Sequence, residues 1–588
     1  MAIFIRRSQR LNNTLKTGIE LLRSSLRCAS TAVERKIKIV DGPNGEKIIP
    51  GSPGNLPLST STLSEYVWKD VEKFANKIAL ECGETGRKYT YAQARDSSNY
   101  VARSLRNIGL KVGDVVAVIL PNLPETAVAF LGASEAGLIV TTVNFQYTVY
   151  EISKQLIDCN ARAVITAAEI APTVLAAIGN SNLGKIPVVV VDDGVQPIPT
   201  GTIPFQDLIT KGKSLPSLPE RTWSDEDVAA LPYSSGTTGL PKGVMLTHRN
   251  LVRNIMMVRN TVPEGIFWNK ATDSFQEVIP SVLPLFHIYG MNAIMCTRLS
   301  IGSRLVTLPK FTPELFASVL AKYKTTTLLC APPIILFLTA SPLIKPNYLD
   351  HVQCVISGAA PLGKSDVDRF YEKFQSLRST LHFGNGYGLT ETSPVALFNW
   401  REDKYGSIGE VLCGSSIRLV DPITNVDISE PGKSGELLIK GPHVMKGYYK
   451  NEAATKETII EGGWLKTGDI AYFDEDFDFY ISDRLKELIK VKGFQVPPAE
   501  IEELLRTHKD IEEAAVIGIP DSRYGEVPKA FVLPKSGRKP SEEDIKNFVN
   551  TRVAEYKHLR GGVTLVDSIP KNPSGKILRI KLRDKYVN

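Results

Sequence analysis

The sequence has no run of about 18 apolar residues, so no segment reads as a membrane-spanning helix. Cysteines are few, seven in 588 residues, and Cys28, Cys82, Cys159, Cys296, Cys330, Cys354 and Cys413 show neither paired nor metal-ligand spacing. An odd, scattered set excludes a disulfide framework and reads as reduced thiols buried as small hydrophobes. Internal repeats and low-complexity tracts are missing, which excludes solenoids and arrays. The N-terminus lacks an apolar signal core, so secretion is not expected.

A charge excess of either sign is missing from most of the chain. Residues 1–40 hold nine of the 70 basic residues and two of the 63 acidic ones, so 61 of each sign remain elsewhere and nothing points to nucleic acid. In the basic end, Leu11, Leu15, Ile19, Leu22 and Leu26 fall within about 80° on a helical wheel, with Lys16, Arg23 and Arg27 outside that arc. An amphipathic, Arg-rich, acid-poor stretch resembles a mitochondrial targeting peptide, and residues 1–33 are assigned to one, with the matrix as destination. A cytoplasmic or peroxisomal address is the alternative, although the last residues are not of the Ser-Lys-Leu type.

What is present is a core far too large for one ordinary domain: 43% hydrophobic and 23% charged residues over 588 positions predict two or more. Short β-branched runs at 114–120, 138–143, 163–166 and 188–191 alternate with a helical stretch at 124–137, which predicts an α/β fold with largely parallel sheets. Residues 194–219, rich in Pro and Gly, read as a loop. After a hairpin-like stretch at 471–481 the texture changes. Helices are expected at 498–508 and 541–556 and strands at 514–518 and 530–533, with Ser541 as an N-cap. The large domain is drawn at 34–483 and a small C-terminal domain, of a common size, at 484–588.

The most informative segment is Tyr233-Ser-Ser-Gly-Thr-Thr-Gly-Leu-Pro-Lys-Gly-Val244. Gly236 and Gly239 let backbone N–H groups wrap a polyphosphate, the hydroxyls of Ser234, Ser235, Thr237 and Thr238 donate to it, and Lys242 supplies charge. It is not the P-loop of kinases and GTPases, because the glycine spacing differs and glycine follows the lysine.

This segment resembles the signature of the adenylate-forming superfamily, which holds acyl- and aryl-CoA synthetases, firefly luciferase and the adenylation domains of nonribosomal peptide synthetases. Further motifs follow in the family's order: Leu283-Pro-Leu-Phe-His-Ile-Tyr289, Ser357-Gly-Ala-Ala-Pro-Leu-Gly363, Gly386-Tyr-Gly-Leu-Thr-Glu-Thr392, Gly463-Trp-Leu-Lys-Thr-Gly-Asp469, Asp483-Arg-Leu-Lys-Glu-Leu-Ile-Lys490 and Pro570-Lys-Asn-Pro-Ser-Gly-Lys576. From about residue 60 onward the chain is most similar to 4-coumarate:CoA ligases and their acyl-CoA synthetase relatives.

The resemblance implies an AMP-forming carboxylate:CoA ligase using ATP, Mg²⁺ and coenzyme A on an aromatic or fatty acid. Lys576 matches the lysine that holds the substrate carboxylate against the α-phosphate, and Glu391 the acid associated with Mg²⁺, with Thr390 beside it. Tyr387 is expected near adenine, with Ala359, Ala360, Asn385 and Gly386 lining that side. Asp469 matches the ribose-binding carboxylate and Arg484 a further ribose or phosphate contact. Lys486 stands at the hinge about which the small domain rotates between half-reactions, and Lys490 is counted with the catalytic set. Lys310, Lys492 and Gly493 match positions along the coenzyme A path. His287 and Tyr289 match the acyl-pocket wall, to which Gly358 and Gly388 are added. No Ser/His/Asp arrangement is required, because the thiol of coenzyme A ionises near neutral pH with little help.

Three positions depart from the pattern. Asn385 stands where many relatives have glutamine, Asn144-Phe145 lacks a following proline, and residues 410–414 lack the usual prolines of that loop. Two other function classes stay open: an adenylating enzyme with another acceptor, such as a carrier-protein thiol or oxygen, and a non-catalytic relative. The presence of Lys576, Glu391 and Asp469 speaks against the second.

Overall fold

The computed structural model describes residues 37–588 apart from 55, 58, 60, 193, 195, 235–240, 360, 361, 402, 485, 486, 492, 493, 522, 554, 572–574, 576 and 588. Residues 39–588 make one compact unit. The expected targeting peptide lies outside the described residues.

The β-branched runs form the heart of a nine-stranded sheet. Ile139–Thr142, Val115–Ile119, Ala161–Ala167 and Val188–Val191 pair in parallel, and every residue of Val115–Ile119 and Val188–Val191 is buried. Such strands are apolar throughout because both faces are covered. The covering helix Pro124–Glu135 starts on a proline, whose missing N–H costs nothing in the first turn, and is buried from Pro124 to Ser134. Two further sheets keep the parallel habit at their centres. One joins Val278–Ser281, Arg304–Thr307 and Ile78–Cys82, and the other joins Thr327–Cys330, Cys354–Gly358 and His382–Gly388.

The parallel expectation does not extend to the fourth sheet. Its seven strands, among them Lys47–Pro50, Ser416–Val420, Gly435–Lys440, Trp464–Phe473 and Phe479–Arg484, are antiparallel throughout. Three of its pairs, Val40–Asp41 with Lys47–Pro50, Ile459–Ile460 with Trp464–Phe473, and Trp464–Phe473 with Phe479–Arg484, are linked by short turns, which join antiparallel strands.

The C-terminal part has its own sheet, built on the pairing of Ile511–Asp521 with Gly525–Pro534 and flanked by helices Pro498–Arg506 and Glu542–Asn550. Ser541 caps the latter by accepting from the Asp544 N–H at 3.0 Å. That helix ends at Asn550, before the expected 556, and Tyr556 falls in a short 3-10 turn.

The stretch 194–219 is not all loop. Helix Phe205–Ser214 buries Phe205, Leu208 and Gly212 against helix Tyr91–Asn107. A Cβ on Gly212 would lie 2.0 Å from the Tyr100 carbonyl, so glycine here lets two helices touch. The six described cysteines are buried and free, as small hydrophobes would be, and Cys28 lies outside the described residues. Among the described residues, no helix is long and apolar enough to cross a membrane.

Candidate active site

A cleft of about 490 Å³ opens where the carboxyl ends of Cys354–Gly358 and His382–Gly388 meet the edge hairpin Tyr233–Ser234 and Lys242–Thr247. Crevices at the carboxyl ends of parallel strands are where α/β sheets bind ligands, because the chain diverges there into loops. In that hairpin Ser234 is directly opposite Lys242, so both ends of the glycine- and hydroxyl-rich segment reach the cleft wall. Ser235, Gly236, Thr237, Thr238 and Gly239, between them, lie outside the described residues.

Glu391 sits in a single 3-10 turn, Thr390–Thr392, after the Gly386-Tyr387-Gly388 strand end. Its Oε1 accepts from Ser234 Oγ and from the Tyr448 hydroxyl, each at 2.9 Å, and its main-chain oxygen accepts from the Met445 N–H at 2.9 Å. Burial, reinforced by the Glu391 carboxylate, pushes the Tyr448 phenol well above the ordinary range, so it stays a donor. Lys242 Nζ stands 4.9 Å from the Tyr448 ring centroid, within cation–π range. Glu391 and the Ser234 hydroxyl are hard oxygen donors of the kind Mg²⁺ prefers, so the residues fit that ion.

On the opposite side, Tyr387 donates to Asp469 Oδ2 at 2.6 Å. Asp469 is only 3% exposed. Its N–H is fixed by Thr467 Oγ1 at 3.0 Å, and that hydroxyl in turn donates to the Leu437 carbonyl at 2.7 Å. The preceding Gly468 lines the cleft and has φ +71°, a left-handed turn that glycine adopts at low cost. Arg484 is Asp469's cross-strand neighbour, and Lys490 is paired by its backbone with Gln495.

The apolar wall comes from a π-helix, Tyr289–Cys296, a form that recurs at functional sites. Tyr289 donates to the Ile356 carbonyl at 3.3 Å, and its N–H donates to His287 Nδ1 at 3.3 Å. Burial raises the Tyr289 phenol far above its ordinary range, so it remains neutral. A Cβ on Gly358 would come within 2.9 Å of Tyr289 Cε1, which makes this glycine the floor on which the ring lies. Ala359 follows with φ +70°, an unusual left-handed conformation for a residue with a side chain, and it lines the cleft.

Eleven residues expected at the site line this one cleft: Ser234, Lys242, His287, Tyr289, Gly358, Ala359, Gly386, Tyr387, Gly388, Thr390 and Glu391. Asn385 is not among the cleft-lining residues, and its amide donates to the Ser407 carbonyl at 3.0 Å. Gly388 lines the cleft, but its lack of a side chain serves the strand beside it, since a Cβ would fall 1.7 Å from the Pro394 oxygen. Lys310 is exposed and pairs with Glu84 at 3.4 Å, outside the cleft lining. Ala360, Lys486, Lys492, Gly493 and Lys576 lie outside the described residues, although Gly575 approaches Pro333, just beyond the cleft residue Leu329.

Sequence reasoning missed Tyr448, Thr467 and Arg298. The pair Gly447-Tyr448 could have been found as a short edge strand beside the lysine strand, Val244 opposite Tyr448. A different acidic group, Asp474, Asp476 and Asp478, gathers at the hairpin tip, but Arg401 and Lys404 already neutralise it, with Lys404 at 2.7 Å from Asp474.

Residues 67–449 match the AMP-binding enzyme family and residues 500–576 match the AMP-binding enzyme C-terminal domain. The chain is 40% identical over 542 residues to 4-coumarate–CoA ligase 1 of Petroselinum crispum, covering 91% of this chain and 95% of that protein. It is 39% identical over 535 residues to 4-coumarate–CoA ligase 1 of Arabidopsis thaliana, covering 90% and 93%. Among solved structures it is similar to ATP-bound MatB from Rhodopseudomonas palustris, with TM-score 0.78, 27% identity and coverage of 90% and 99%. It is also similar to the anthranilate CoA ligase AuaEII in complex with anthranoyl-AMP, with TM-score 0.78, 26% identity and coverage of 90% and 98%.

Proposed function

The chain belongs to the AMP-binding enzyme family, and from that premise we infer that it is an AMP-forming acid:CoA ligase, joining an aromatic or fatty acid to coenzyme A through an acyl adenylate. The observation that carries the reading is the single cleft that joins the phosphate-side residues Ser234, Lys242 and Glu391 to the apolar wall of His287, Tyr289 and Gly358. Its volume of about 490 Å³ suits a small-molecule ligand, and two chemically different ends suit one that is half nucleotide and half acyl group.

In the first half-reaction a carboxylate oxygen bonds to the α-phosphorus of ATP and the bond to the departing pyrophosphate breaks. Negative charge concentrates on the phosphoryl oxygens, and fixed cations and donors aimed there lower the barrier. Lys242 and the Ser234 hydroxyl take that task at the cleft wall, and Lys576 takes it by its match to the family's adenylation lysine. Mg²⁺, held by Glu391 with the Ser234 hydroxyl nearby, supplies Lewis-acid neutralisation of the phosphates when bound. Asp469 receives the ribose hydroxyls and Arg484 assists. Tyr387 and Ala359 flank the adenine.

In the second half-reaction the thiolate of coenzyme A adds to the carbonyl carbon of the adenylate and the bond to AMP breaks. Lys576 is then no longer needed, and rotation of the C-terminal domain about Lys486 replaces it with the segment around Lys490, Lys492 and Gly493. Residence in the mitochondrial matrix is supported by the composition of residues 1–33 alone, and a fluorescent fusion of those residues tests it by import and cleavage.

The test of function measures acid-dependent exchange between ATP and labelled pyrophosphate, then AMP and thioester release on adding coenzyme A. Lys576→Ala should abolish the exchange while leaving thioester formation from a supplied adenylate largely intact. Exchange without any thioester product would instead favour another acceptor.

A further inference from the structure

Arg298 puts a permanent cation into the wall of the apolar end of the cleft, and its side chain is only 6% exposed. It belongs to the one-turn helix Thr297–Leu299 that continues the π-helix carrying Tyr289. Its Nη1 donates to the Phe267 carbonyl at 3.1 Å and to Glu277 Oε2 at 3.2 Å, with Glu277 Oε1 at 3.5 Å. Glu277 is itself 1% exposed and also accepts from the Asn269 N–H and the Ser303 hydroxyl, both at 2.8 Å. The carboxylate therefore grips the guanidinium end-on through one nitrogen, without the two-nitrogen fork that arginine and carboxylate usually make.

The remaining edge of the guanidinium is uncommitted. Among the described residues Nε is buried without a partner, and Nη2 makes no hydrogen bond. The other polar side chains on this wall are satisfied inside the protein: Tyr289 on the Ile356 carbonyl, Thr297 on the Asn292 carbonyl at 2.7 Å, and Asn254 on the Val395 carbonyl at 2.6 Å. A guanidinium cannot shed its proton to escape burial, so its spare donors require an acceptor.

We propose that Arg298 is the specificity-determining residue of the acyl pocket, its free edge receiving a neutral oxygen, a hydroxyl or a carbonyl, at the end of the acid remote from the reacting carboxylate. The proposal rests on the ligase reading and narrows its substrate class to tail-oxygenated acids. A neutral acceptor fits better than a second carboxylate, because Glu277 already balances the arginine and a further anion would leave the closed end with net negative charge. A purely hydrocarbon tail would bury the donors against carbon, and a site built to bond a substrate oxygen rejects analogues without it.

The experiment compares cinnamic with 4-hydroxycinnamic acid, and octanoic with 7-oxooctanoic and octanedioic acid, in the wild type, in Arg298→Met and in Arg298→Met/Glu277→Gln. The double variant removes both charges together and so guards against misfolding from an orphaned glutamate. Pyrophosphate release gives kcat/KM for each acid, and calorimetric binding of the acid gives the same ratios without turnover. The wild type should favour the oxygenated acid of a pair by about tenfold or more, and both variants should bring the ratio close to one with KM for ATP unchanged. A wild-type preference for the plain acid or the diacid, or a ratio unmoved in the variants, overturns the assignment. Absence of turnover with every acid would sink the ligase reading, while the binding ratios would still decide the role of Arg298.

Discussion

The Tyr387 phenol donates to Asp469 Oδ2 at 2.6 Å, tying the end of strand His382–Gly388 to strand Trp464–Phe473 of the antiparallel sheet. The link fixes the orientation of a nearly buried carboxylate. Tyr387→Phe keeps the ring and removes the donor, and a hydrogen bond to a charged group contributes about 1.5–3 kcal/mol. KM for ATP should rise about tenfold, with little change in melting temperature because Tyr387 is only half-buried. Asp469→Asn should cost more. An ATP dependence within twofold of wild type in Tyr387→Phe would show that the link does not position Asp469.

Glu391 is the point where the phosphate hairpin, the 3-10 turn and the Tyr448 strand converge, all through Oε1 and the main-chain oxygen. Glu391→Gln preserves that shape and loses the charge. Pyrophosphate exchange should fall at least about a hundredfold, the scale of losing one transition-state electrostatic contact, and part should return at high MgCl₂. Tyr448→Phe should lower the rate only severalfold. Exchange in Glu391→Gln within threefold of wild type at equal magnesium would remove the metal assignment.

The alternation of β-branched runs with helical stretches could be read from the sequence because parallel strands buried on both faces must be apolar along their whole length, as Val188–Val191 is. The antiparallel sheet was not readable in the same way. Its strands Lys47–Pro50 and Ser416–Val420 are far apart in sequence and pair only through tertiary contact, a relationship no local pattern encodes. The helix Phe205–Ser214 was hidden by the Pro- and Gly-rich flanks around its short amphipathic stripe. At the site, motif spacing pointed to residues that share one cleft. It could not tell that the Asn385 amide is taken up by the Ser407 carbonyl, nor that Tyr448 reaches Glu391 from fifty-seven residues away. Arg298 sits in an apolar run with no local mark of its role, since the partner that makes it informative, Glu277, is twenty-one residues upstream.

Gly358 bears on the acyl wall directly. In Gly358→Ala the new methyl lies 2.9 Å from Tyr289 Cε1 and 3.2 Å from Cζ, while the Tyr289 hydroxyl is held by the Ile356 carbonyl at 3.3 Å. The ring must shift into the cleft, and overpacking of this kind costs about 1–3 kcal/mol. Activity on bulky aryl acids should drop tenfold or more, short acids should suffer less, and KM for ATP should not move. Gly358→Ala/Tyr289→Leu should recover part of the loss by making room. Equal losses on large and small acids would place the effect outside the acyl wall.

Two buried histidines give the fold a defined response to acid. Burial holds His443 down to about 3 and His248 to about 4, the latter against the opposing pull of Asp227. Both stay neutral in the folded protein, whereas in the unfolded chain they protonate near 6.5. Above that value the two states carry the same protons and stability is unaffected. As pH falls below it the unfolded chain gains protons that the folded chain cannot accept, and stability is lost until the folded values are reached. At pH 5.5 the loss is about 1.4 kcal/mol for each histidine. Among the described residues neither His443 ring nitrogen has a hydrogen-bond partner, so His443→Leu should be tolerated at pH 7.5. Comparing denaturant midpoints at pH 7.5 and 5.5, the wild type should weaken by more than this variant, by about the contribution of one histidine. An identical pH slope in both proteins would mean that His443 titrates the same way folded and unfolded.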